Sequence, residues 1–171
     1  PKNPASDIQP IELQIDGFDC FSNLQTGQCR RGVAVWTRQS LGAQPFQLDN
    51  RLAAAQESVW CEVPLEGDER LLVGVVYRSP NSDNDNNVKV NELLTNVTHN
   101  RKHVLVCGDF NYPDIEWTQG ISPRDDAHPA SKFMESVRDS FLAQHVKNPT
   151  HYRGEQTPNV LDLIFTSEEE M

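Results

Sequence analysis

The 171-residue sequence is 37% hydrophobic and 23% charged, which excludes a disordered chain and suits one domain better than two. Its formal net charge of -10 argues against tight non-specific DNA binding, which rests on a basic face, but leaves room for a carboxylate metal site whose ion brings the positive charge. No apolar run approaches the roughly 18–20 residues that cross a bilayer, and Pro1-Lys2-Asn3-Pro4 lacks the pattern of an export signal, so an intracellular protein without a membrane span is expected.

In chain order, the first β-rich run is Gly32-Val33-Ala34-Val35-Trp36-Thr37, and the second is Ser58-Val59-Trp60-Cys61-Glu62-Val63. Leu71 to Tyr77 follows, then a polar stretch from Ser79 to Asn87 that reads as a loop. Val90, Leu93, Leu94 and Val97 recur at three- and four-residue spacing, predicting a helix over Val88 to Val97. Val104 to Cys107 is the next strand, and, like Leu71 to Tyr77, it is nearly all apolar, as in a central strand covered on both faces. A loop from Tyr112 to Asp126 carries Pro113, Gly120 and Pro123. A second helix is predicted over Pro129 to Val146, with Pro129 in its first turn and Ala130, Phe133, Met134, Val137, Phe141 and Leu142 on one stripe. A loop from Asn148 to Asn159 leads into a last strand, Val160 to Phe165. Five strands and two helices predict an α/β or α+β layered sandwich. All three loops border ends of apolar strands, where such a scaffold places its chemistry.

Cys20, Cys29, Cys61 and Cys107 form no Cys-x-x-Cys pair and the five histidines are scattered, which argues for reduced thiols and against zinc. Cys107, within the run His103 to Cys107, reads as a buried small hydrophobe. Asn96-Val97-Thr98 matches a glycosylation acceptor by chance if the chain is not exported. The basic spots at Arg30-Arg31 and at His151 with Arg153 read as solvated surface charge.

The sharpest local signal is Val104-Leu105-Val106-Cys107-Gly108-Asp109-Phe110-Asn111. A buried strand ends in glycine and then delivers a carboxylate and a carboxamide two residues apart. In an extended chain residues i and i+2 point the same way, so Asp109 and Asn111 can face one site. Hydrolysis of a phosphodiester needs a group that orients or deprotonates water and donors for the phosphate oxygens. An Asx-rich turn that merely closes the strand fits the same residues.

Gly108-Asp109-Phe110-Asn111 resembles the Gly-Asp-Phe-Asn motif of the endonuclease/exonuclease/phosphatase superfamily, which includes deoxyribonuclease I and the apurinic endonucleases. Val75 to Asn81 resembles its strand-end Tyr-x-x-Pro motif, and Arg31 to Val35 its upstream Gly-Val-Ala strand. Pro149-Thr150 with Asn159 to Phe165 resembles the closing segment in which an Asp sits on a strand. With Glu57 to Trp60 and His128 to Phe133, the pattern is most similar to the endonuclease part of non-long-terminal-repeat retrotransposon polyproteins, over roughly residues 10–168.

The resemblance implies a two-sheet α/β sandwich of the deoxyribonuclease I-like type, incomplete, with residues 1–171 as a single partial domain. It implies Mg2+ or Mn2+ as cofactor, with Asp109 as a metal ligand, and DNA as a partner held weakly through its backbone. By the same resemblance Asp109 activates the attacking water, Asn111 holds Asp109 or the scissile phosphate, and Tyr77 places its hydroxyl on the phosphate or leaving group. Asp162 orients a catalytic histidine; Arg78, Asn81 and Thr150 touch the nucleic-acid backbone. Action on DNA implies a nuclear location. The metal-binding Glu of the family is expected upstream of Pro1 and its Ser-Asp-His strand beyond Met171, and none of the five histidines falls at the family's position. The expectation is therefore an endonuclease inactive or crippled in these 171 residues, with a non-catalytic module of the same fold or a phosphomonoesterase as alternatives.

Overall fold

The computed structural model describes residues 13–25, 31–49, 57–99, 101–122, 124–152 and 158–170. Arg30, Cys29 and Arg153 lie outside the described residues. Among those described, Phe18–Gln25 (β1) and Arg31–Arg38 (β2) form a two-stranded antiparallel sheet. Gln44–Pro45 (β3), Ser58–Pro64 (β4), Arg70–Tyr77 (β5), His103–Asp109 (β6), Ala143–Gln144 (β7) and Asp162–Thr166 (β8) form a second sheet in the order β3-β4-β5-β6-β8-β7. The helix Asn84–His99 (α1) makes the crossover that lets β5 and β6 run parallel, while β8 returns antiparallel to β6. Pro129–Asp139 (α2) packs with α1 on one face of this sheet, and β1–β2 packs on β4 and β5.

The alternation of the strands sorts the side chains into these layers. Trp60, Leu72, Val76, Val104, Val106, Leu163 and Phe165 meet Val90, Leu93, Leu94, Val97, Ala130, Phe133, Met134 and Val137 in one core. Val75 and Cys107, on the other face, are only half-buried, and Ile164 is exposed. The continuous apolar runs of β5 and β6 are thus central in the sheet, but their second face is only partly covered. Burial on that face raises the Cys107 thiol pKa.

Three sequence expectations shift. α1 begins at Asn84, inside the stretch read as a loop, because the Asp83 carboxylate accepts the Asn86 N–H at 2.8 Å and caps the first turn. α2 stops at Asp139 instead of running to Val146. The Phe141 N–H reaches the Arg138 carbonyl at 2.9 Å and the Leu142 N–H reaches that of Val137 at 3.2 Å, with Phe141 left-handed at φ 53°. This paired closure ends a helix. It throws Phe141 outward to 87% exposure, so Phe141 leaves the apolar stripe on which the spacing put it, and the chain continues as β7. β1 was not foreseen, since Phe18-Asp19-Cys20-Phe21-Ser22-Asn23 alternates poorly.

At the edge of β6 farthest from Asp109, His103 is bracketed by two carboxylates, Nε2 at 2.6 Å from Glu69 and Nδ1 at 2.9 Å from Glu168, with Lys102 at 2.7 Å from Glu69. The hydrogen bond to Glu69 and then that to Glu168 raise the imidazole pKa above its usual value. This clasp therefore contributes fully below the ordinary imidazole pKa and is lost as pH rises through the raised one. His103→Gln is expected to flatten the fall in melting temperature across neutral to mildly alkaline pH. An identical pH profile in the variant would show that the clasp contributes nothing.

Candidate active site on three strand ends

The register of the large sheet builds the site. Asp109 ends β6 opposite Tyr77 of β5 on one side and Asp162 of β8 on the other. Residues in lateral register project from the same face of a sheet, so the phenol and two carboxylates form one row across neighbouring strands, roughly 4.8 Å apart at the backbone. The pairing runs one residue further, with Arg78 N–H to the Asp109 carbonyl at 2.8 Å and Phe110 N–H to that of Leu161 at 2.9 Å. Phe110 is fully buried, 5.2 Å from Phe133 and 5.4 Å from Phe165 between ring centres. That aromatic wedge fixes the strand end from beneath.

Asn111 reaches the site by a different route from the one its spacing suggested. The chain after Asp109 is not extended; Asn111 is left-handed at φ 51°, a conformation that Asn tolerates better than most residues. Its N–H donates to Asp109 Oδ1 at 3.1 Å and its Nδ2 to the Arg78 carbonyl at 2.8 Å. It thus holds the Asp109 carboxylate by its backbone and the β5 end by its side chain. Thr150 joins the row from the β8 side, its hydroxyl oxygen accepting the amides of Leu161 at 3.1 Å and Asp162 at 3.0 Å.

Arg78 does not join them. It follows Tyr77, and strand alternation sends it to the helix face, where it is 5% exposed. Its Nε donates to Asn87 Oδ1 at 2.7 Å and Nη1 to the carbonyls of Phe110 at 3.3 Å and Asn111 at 3.0 Å, while the guanidinium lies 3.9 Å above the Tyr112 ring. A phosphate contact by Arg78 is therefore corrected to an internal strut that ties β5, α1 and the turn after β6. Asn81 lies beyond the strand end in a polar cleft of about 170 Å³ lined by Glu57, Ser79, Asp83, Asp85 and Lys89, an acidic setting for a backbone contact.

The electrostatics single out Asp109. Burial first, and then the neighbouring Asp162, push its pKa up, while the backbone and side chain of Asn111 and the charge of His151 pull it down. A carboxylate strained by a like-charged neighbour is the setting a divalent cation relieves. Among the described residues no group of three His, Cys, Asp or Glu converges as a ready cation cage. Two carboxylates with an adjacent carboxamide and phenol nevertheless fit Mg2+, which is commonly held by one or two carboxylates, waters and substrate phosphate. Asn87 was missed by sequence reasoning. The signal was its place on the stripe Asn87, Val90, Leu94, Val97, where a polar residue at an apolar position marks a buried partner.

Comparison with known proteins identifies the fold. The family model described as endonuclease-reverse transcriptase matches residues 71–171, and no curated protein matches. Among solved structures, the endonuclease domain of TRAS1, a telomere-specific non-LTR retrotransposon, superposes with a TM-score of 0.62 at 15% identity, covering 91% of this chain and 67% of that one. The 3′ phosphatase NExo from Neisseria, bound to a product DNA hairpin, gives 0.58 at 17% identity, covering 94% and 71%. The catalytic domain of Xenopus laevis APE2 gives 0.53 at 15%, covering 91% and 68%. The architecture is the deoxyribonuclease I-like mixed α/β sandwich, and with more than half of its length matched, β5 through β8 included, the chain belongs to the endonuclease-reverse transcriptase family.

Proposed function

We propose that this domain is a divalent-metal-dependent DNA endonuclease of the retrotransposon type. The observation that carries the reading is the register row Tyr77–Asp109–Asp162 with Asn111 locked against Asp109. Asp109 orients and takes the proton of the attacking water, its carboxylate held by the Asn111 amide. Tyr77 offers a phenol to the phosphate or leaving oxygen, and Thr150, its oxygen already accepting two amides, keeps an O–H to donate to a phosphate oxygen. Asp162 would orient a neighbouring imidazole or help Asp109 to hold the cation. Mg2+ or Mn2+ held by Asp109 would neutralise charge on the phosphoryl oxygens. The similarity to NExo, which is bound to a DNA hairpin, supports DNA as the partner, and an enzyme acting on chromosomal DNA would work in the nucleus.

Supercoiled plasmid incubated with the chain and Mg2+ is expected to be nicked. Asp109→Ala should lower the rate by about 10^2–10^4, and EDTA should abolish it. Mg2+ should also raise the melting temperature of the wild type but not of Asp109→Ala. Nicking that survives Asp109→Ala would overturn the assignment.

A second reading is a non-catalytic DNA-binding module of the same fold, since fold alone does not fix function. That reading requires DNA binding with neither nicking nor a thermal response to Mg2+. Release of inorganic phosphate from a 3′-phosphorylated strand without nicking would instead mark a phosphatase.

A further inference from the structure

Three of the described histidines spend a ring nitrogen inside the fold: His103 on Glu69 and Glu168, His128 on the Ala130 amide at 3.2 Å, and His145 on the Thr166 hydroxyl at 2.5 Å. A fourth, His99, ends α1, on the side of the sheet edge where β6 begins. His151 is placed differently. It is exposed, and its backbone is tied to the approach of β8. The N–H groups of Thr150 and His151 both donate to the Asn159 carbonyl at 3.0 Å, and the Asn159 N–H returns to the His151 carbonyl at 3.1 Å. With the two amides of Leu161 and Asp162 on the Thr150 hydroxyl, five hydrogen bonds lock residues 150–151 beside the strand that carries Asp162. Of the influences on Asp109, the charge of His151 is the last, drawing that carboxyl down.

Beyond the hydroxyls of Tyr77 and Thr150, the rim needs a further donor. Asp109 and Asp162 are acceptors, the chain is acidic overall, and the Arg78 guanidinium is spent on three internal acceptors. An incoming phosphodiester needs N–H and O–H groups to offset its repulsion by the carboxylates. An imidazole serves whether neutral or charged, since one ring N–H remains in either form. We propose that His151 is a substrate-binding residue of this site, its ring N–H donating to a non-bridging phosphate oxygen beside the scissile linkage, with Thr150 as its neighbour in the chain. The proposal rests on the reading of the domain as DNA-binding and adds the residue that meets the backbone on the β8 side.

The test is the Kd for a fluorescent duplex oligonucleotide, measured by anisotropy over a salt series, with plasmid nicking and thermal melting measured in parallel. His151→Phe, which keeps a ring but no donor, should weaken binding about 5- to 10-fold and make the salt slope shallower by up to about 1, with the melting temperature unchanged. His151→Gln, which restores an N–H, should recover most of the affinity. Wild-type nicking with a Kd indifferent to His151→Phe would overturn this proposal and leave the endonuclease intact. Weaker binding by His151→Phe that tracks a lower melting temperature and is not recovered by Gln would also overturn it. A wild type that neither binds nor nicks DNA would overturn both readings, whereas His151-dependent binding without nicking would support this one and reject catalysis.

Discussion

Gly108→Ala is expected to abolish nicking and to remove or sharply lower the cooperative thermal transition. Gly108 sits at φ 149°, and a Cβ added there would lie 1.8 Å from the Val76 carbonyl oxygen and 2.8 Å from its carbon. Both are backbone atoms of the adjacent parallel strand, so no side-chain rotation relieves the clash. The β5–β6 pair would have to part at the row before Tyr77 and Asp109. Main-chain overlap of this kind belongs to the rare class of substitutions that cost at least about 4 kcal/mol. For a chain of this length that lowers the melting temperature by roughly 10 °C. Circular dichroism melts of the purified variant measure it directly, and a melting temperature within about 2 °C of the wild type would show that the two strands are not so closely apposed.

Arg78→Met should destabilise the domain by about 3 kcal/mol and disable the site with it. Methionine matches the length of the arginine stem but leaves Asn87 Oδ1 and the carbonyls of Phe110 and Asn111 without their donor in a buried region. Unsatisfied acceptors keep their full desolvation cost, so the loss exceeds the net worth of the bonds. Arg78→Lys should rescue little, because a single ammonium cannot span acceptors arranged around a planar fork. In a double-mutant cycle Asn87→Leu should be far less harmful in the Arg78→Met background than alone, a coupling that marks direct contact. A surface phosphate contact would give the opposite pattern, with an unchanged urea midpoint and weaker DNA affinity.

The local chemistry of β6 was legible because one strand and its end carry it: a continuous apolar run, then Gly108, then Asp109. The layered α/β class was equally open, since five strands and two helical stripes announce themselves by period. What spacing could not give was the facing of residues after a strand ends. Asp109 and Asn111 were paired by assuming an extended chain, and they do interact, but through a left-handed turn set by the burial of Phe110 between them. Arg78 was placed beside Tyr77 by motif, whereas alternation puts neighbours on opposite faces, and only the buried Asn87 reveals where the guanidinium goes. The early end of α2 was hidden for a related reason. Phe141 and Leu142 continue the apolar rhythm, and the left-handed Phe141 that breaks it has no glycine to mark it.

The three members of the register row are Tyr77, Asp109 and Asp162, each on a strand separated from the next by a long excursion of chain. Pairings so distant in sequence are made late, after local helices and turns have formed. A ribosome-bound or partly unfolded chain therefore lacks the assembled carboxylate row until β8 docks against β6. If the row cuts DNA as proposed, cutting power would arrive only with the finished fold, and an incompletely folded protein would pass through the cell without it.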